Sequence, residues 1–256
     1  MTRALTRTNF NSTKLIRVLV DLTHVETVET GSPFAEKLAA WVHFSDAITL
    51  CATHTSGAQS TQQATPSTAS GVLSDELIRV QTSLVQAVTL GYSTIGTRTR
   101  VELPSPKPGM TIDDAVNYEP YRRYHLAHQR EMELSVRPLR ATARKVLSIA
   151  SPTLRQLADL DAAFDGILSE RESKLFSTIP SLLQKRFGQL IREHQLAHGD
   201  NQESINPELW IKPGGWLMRF RSELQTVLLA ELDARLQPTL GLMEALHNEL
   251  NKNKHE

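Results

Sequence analysis

From Tyr118 to about Ala197, apolar residues recur at helical spacing for roughly eighty residues, broken only at Ser151-Pro152. A run of this kind fits few architectures. Two long amphipathic helices, about 118–150 and 152–197, must bury their stripes against other helices. Pro138 and Pro180 fall inside them, and each should kink or split its helix because it removes a backbone donor. A last helix is expected over about 215–250, after Gly214-Gly215 and with a bend at Pro238. Aromatic residues make up only 5% of the chain, which disfavours an all-β reading. The expected fold class is therefore all-α.

The 256 residues divide into segments of different character. Residues 1–52 read as an N-terminal helical hairpin, with helices over about 13–29 and from Pro33 to about Cys51. Residues 53–71 contain no large apolar side chain and read as a flexible linker. Residues 72–117 hold a helix at about 73–90, then an extended loop over 97–111 around Pro104, Pro106 and Pro108. Residues 118–251 form the long-helix bundle domain, interrupted by a polar stretch over 198–213 with a short turn at Pro207–Trp210.

Lys plus Arg and Asp plus Glu both total 28, so nucleic-acid contact would need a local patch. A single cysteine, Cys51, excludes an intrachain disulfide and fits a reducing compartment; its expected state is a buried, inert thiol. The polar start, MTRALTRTNFNSTK, has no apolar h-region, so no secretory signal is expected. Its longest apolar run, near Val227–Ala230, is far short of the ~20 residues a bilayer requires. These features suggest a cytoplasmic protein.

Three constellations could carry chemistry. Taking Arg122 as zero at about 100° per residue, Arg130, Arg137, Arg140 and Arg144 fall at about 80°, 60°, 0° and 40°. Arg123 and Lys145 flank this row, and Glu119 and Glu133 share its face. Such arginines could meet phosphates of a duplex, dock a protein partner, pair with acids of the next helix, or remain solvated. The apolar face of the same helix (Tyr121, Met132, Val136, Leu139, Ala143, Val146, Leu147) is separate. On the following helix Asp161, Asp165 and Glu172 share a narrow arc with Leu157, Leu168, Leu175 and Ile179. Carboxylates there need partners, and arginines of the preceding helix are natural ones; a divalent-metal nuclease site is the alternative. His125 and His128 lie near the apolar arc and read as hydrogen-bonded core residues. Trp41, Trp210 and Trp216 read as packing residues, although Trp210 could anchor a partner from its polar surroundings. No nucleotide, zinc-protease or hydrolase motif is present, and no catalytic residue, cofactor or metal is expected.

Two blocks carry a family resemblance. One is FNSTKLIRVLVDL with FAEKLAAWVHFSDAITL, within residues 10–50. The other runs from YRRYHLAHQREMELSVRPLRATARKVL through SPTLRQLADLDAAFDGILSERESKLFSTIPSLLQKRF to PGGWLMRFRSELQTVLLAELDARLQPTLGLMEAL. The chain resembles the proteobacterial family of unknown function that includes ZorF of the type III Zorya anti-phage defence system. The resemblance implies a non-catalytic soluble component acting with a membrane-anchored, ion-driven motor pair (ZorA/ZorB-like) and a companion soluble protein (ZorG-like). It supplies no active-site residues. Double-stranded DNA is a further candidate partner through Arg122, Arg123, Arg130, Arg137, Arg140 and Arg144. Long apolar stripes also lead us to expect a homo- or hetero-oligomer. The competing readings are a direct double-stranded DNA-binding protein and a metal-dependent nuclease.

Overall fold

A computed structural model describes residues 14–23, 46–48, 50–51, 66–95, 99–107, 109–111, 115–198 and 206–252. Its elements are α1 (Lys14–Thr23), α2 (Pro66–Leu90), β1 (Tyr92–Ile95), β2 (Thr99–Glu102), α3 (Glu119–Ala150), α4 (Pro152–His198), α5 (Pro207–Trp210) and α6 (Trp216–Lys252). Among the described residues the fold is an all-α bundle with one short antiparallel hairpin in which Tyr92 faces Glu102 and Ile95 faces Thr99. No described helix is long and apolar enough to cross a membrane.

Helix α3 starts where its sequence supplies the right ends. Asn117 Oδ1 accepts from the Glu119 amide at 3.0 Å, and Pro120 takes one of the first helical positions. It stops at Ser151, whose extended backbone (φ −157°, ψ 160°) suits a residue before proline. Ser151 Oγ then caps α4 by accepting from the Leu154 amide at 3.2 Å. The same hydroxyl donates to Glu249 on α6 at 3.1 Å. One residue thus ends a helix, begins the next and fastens both to a third.

Contacts along the helices set their directions. Arg140 meets Asp161 and Gln129 meets the Phe176 carbonyl, so α4 runs back along α3. His125 meets Glu231 and Ser151 meets Glu249, so α6 runs alongside α3 in the same sense. At one end Tyr121, Phe187, Trp216 and Phe220 interlock, with Phe187 and Phe220 centroids 4.8 Å apart in an edge-to-face arrangement. Leu73, Leu77, Leu84 and Val88 of α2 and Leu22 of α1 join the same core.

Several expectations change. Residues 66–71, read as linker, form the first turns of α2, with Ser70 buried. Residues 99–102, read as extended loop, pair as β2; Leu103 N donates to Gly91 O at 2.7 Å, and Gly91 adopts φ 75°. Pro138 and Pro180 split neither helix. Leu175, placed on the core-facing arc, is 64% exposed. Cys51 is exposed rather than buried. Trp210 is fully buried against Trp216, the packing role first expected of it, and does not project towards a partner as its alternative reading allowed. Between those tryptophans Gly215 is obligatory, because a Cβ there would lie 2.3 Å from the Trp210 carbonyl oxygen. The rest of the expected hairpin, 24–45 with Trp41, and the linker residues 53–65 lie outside the described residues.

Candidate functional site

The six arginines singled out along α3 separate into distinct environments. Arg140 and Arg144 reach across to α4. Arg140 forks onto Asp161 through Nε (2.9 Å) and Nη2 (2.6 Å) and sends Nη1 to Asp165 at 2.9 Å. Arg144 Nε donates to Asp161 at 2.6 Å and its Nη2 to Asp165 at 2.9 Å. These charge-assisted contacts form a four-residue clamp. Burial pushes the Asp161 carboxyl up, but hydrogen bonds and charge from both arginines outweigh it, and its pKa lies below the usual carboxylate range. The Asp161 and Asp165 carboxylates thus already carry guanidinium partners, and Glu172 stands apart, exposed. Among the described residues no group of three or more His, Cys, Asp or Glu side chains is placed to hold a metal ion.

The remaining four arginines face outward. Arg122 makes a long contact, 3.4 Å, with Glu119. Arg123, Arg130 and Arg137 are exposed and have no ion pair among the described residues. Several cations elsewhere are engaged: Arg186 with Glu223 at 2.8 Å, Lys174 with Glu170 at 2.6 Å, and Lys14 with Asp233 at 2.7 Å. A groove of about 510 Å³ lies beside Arg123 and Arg130, with Leu126 on its wall and Phe176 beneath. The Arg235 guanidinium covers the Phe176 ring at 3.9 Å. On the other side of α3 a groove of about 720 Å³ opens towards α2, lined by Val72, Leu134 and Pro138.

The inward face of α3 carries a polar knot not foreseen from sequence. His125 Nε2 lies 2.6 Å from Glu231 Oε1, and both side chains are completely buried. Gln129 donates to Glu231 Oε2 at 2.8 Å and to the Phe176 carbonyl at 3.1 Å. That carbonyl is available because Pro180, four residues on, has no N–H to offer it. Of the two histidines expected to hydrogen-bond in the core, His125 does so. His128 packs edge-on to Tyr124 with centroids 4.5 Å apart, and neither ring nitrogen has a partner among the described residues. Burial, with the nearby His125, drives the His128 pKa down to about 4, so the ring is neutral near pH 7. Burial likewise pushes the Tyr124 phenol up to about 12. Helical spacing locates both histidines on the inner face, but the acceptor that His125 uses lies more than a hundred residues away at Glu231.

No curated protein and no solved structure matches this chain. One family does: the pattern described as "Protein of unknown function (DUF3348)" matches residues 1–248, and the chain belongs to that family.

Proposed function

We propose that this chain is a non-catalytic binding component of an anti-phage defence system, working in the cytoplasm with a membrane ion-driven motor pair and a companion soluble protein. The observation that carries the binding reading is the division of labour along α3. Arg140 and Arg144 are consumed by internal pairing, while Arg123, Arg130 and Arg137 remain exposed in a row without a partner among the described residues. Exposed, unpaired arginines beside grooves favour contact with another molecule. The defence setting is supported by the extended resemblance over residues 10–50 and 121–246. A nuclease centred on Asp161 and Asp165 is disfavoured, because a metal would have to displace two guanidiniums.

The test is co-expression with the companion soluble protein, followed by co-purification and mass measurement of the complex. A complex of defined stoichiometry is the expected result. A chain that purifies alone at every salt concentration overturns the reading. A second reading, direct contact with duplex DNA, draws on the same arginines. It calls for a salt-dependent mobility shift that is lost on reversing Arg130 and Arg137 to Glu.

A further inference from the structure

The outward face of α3 has a second regularity. Arg123, Arg130 and Arg137 are seven residues apart, and exposed leucines fall between them: Leu126 at 37% and Leu134 at 61% exposure. At about 100° per residue all five side chains fit within an arc of about 80°. The arginines repeat about every 10.5 Å along the axis. Basic and aliphatic positions are interleaved along this seam, which points away from the core; the leucines are eight residues apart, so only the arginines keep a heptad register. Grooves of about 510 and 720 Å³ flank it, with Leu126 on the wall of one and Leu134 on the wall of the other.

Building on the binding reading above, we propose that this seam docks an amphipathic helix of a partner protein. That helix would carry carboxylates at seven-residue intervals and aliphatic side chains between them. Its carboxylates meet the three arginines, and its aliphatic side chains cover Leu126 and Leu134 and enter the flanking grooves. A helix matches the spacing because its own seven-residue repeat has the same rise. Charge complementarity selects an acidic partner. The leucines distinguish it from duplex DNA, whose phosphates would leave them uncovered or trapped against polar backbone. Glu133, exposed in the same stretch and on the wall of the groove of about 510 Å³, repels any anion, so the partner helix must set a neutral or basic side chain opposite it.

The probe is a fluorescein-labelled helical peptide of about three heptads, with Glu at every seventh position and Leu between. A Lys-for-Glu counterpart and a short DNA duplex are titrated in parallel against the full chain. The acidic peptide should bind. Its affinity should fall about tenfold or more in the Arg123→Glu/Arg130→Glu/Arg137→Glu variant, and the Lys peptide should bind that variant better than the wild type. Circular dichroism checks that the variant remains folded. The proposal is overturned if the acidic peptide fails to bind the wild type, or binds the variant equally well. It is also overturned if only the duplex binds and loses affinity in the variant. If the companion protein still co-purifies with the variant, the seam is wrong and the binding reading stands. If it fails to co-purify with the wild type, the binding reading itself is wrong.

Discussion

The two faces of α3 use the same residue classes in opposite regimes. On the inner face His125, Gln129 and Glu231 hold one another in a space without solvent, and every partner removed strands another polar group. Towards the C-terminal end of the helix, Arg140 and Arg144 clamp Asp161 and Asp165 at side-chain exposures of 14–29%, where water moderates both gain and loss. Further out, Arg123, Arg130 and Arg137 are exposed, where a charge is expected to add little to folding. Burial, rather than the number of charges, decides which polar groups hold the fold and which are free for recognition.

The sharpest way to break this comparison is at the knot. Glu231→Ala leaves the buried His125 and Gln129 without their acceptor, and we expect a loss of about 3–5 kcal/mol in chemical denaturation. A cost near that of a surface substitution would show that the inner face is not the one that matters.

Next comes His128. Its folded pKa, about 4, lies below the ordinary histidine value of about 6.5. Between those values the unfolded chain takes up a proton and the folded chain does not, so stability falls as pH drops through the window. The full effect is about 3 kcal/mol below pH 4 and absent above about 7. Denaturation midpoints measured between pH 7 and 4 should show it, and His128→Phe should remove this part of the slope.

The clamp should give less. Asp161→Asn keeps the shape but weakens the pairing with Arg140 and Arg144, and about 1–2 kcal/mol is expected, reduced at high salt. Thermal melts at low and high salt measure both parts. The smallest effect belongs to the outer row: Arg130→Glu and Arg137→Glu should change stability by less than about 0.5 kcal/mol. A large loss there would mean that the row is structural.

The long helices were legible from the sequence almost to the residue, because an unbroken apolar stripe and a Ser-Pro break are properties of the chain itself. Paired stripes also suggested that arginines of α3 would meet acids of α4. Which ones would do so depended on the helix register, a tertiary quantity. The β1–β2 hairpin was hidden by prolines that follow it, although Gly91 and the β-branched Thr94, Ile95, Thr99 and Val101 carried a faint signal. Trp210 was legible as a packing residue, but what it packs on was not: its polar neighbours hide the contact with Trp216, across a turn that only Gly215 permits. The knot was illegible for the same reason, since Glu231 gives no local sign of facing inward.

Pro180 carries one more implication. By withholding a donor it leaves a single acceptor on α4 turned towards Gln129 of α3. Leucine-rich rods are apt to slide along one another, since one aliphatic contact substitutes readily for the next. A slip of one turn, about 5.4 Å, would carry that oxygen past its amide and leave it unsatisfied in an oily interior. The imino acid therefore adds a polar catch to a register that the clamp of Arg140 and Arg144 on Asp161 and Asp165 also holds.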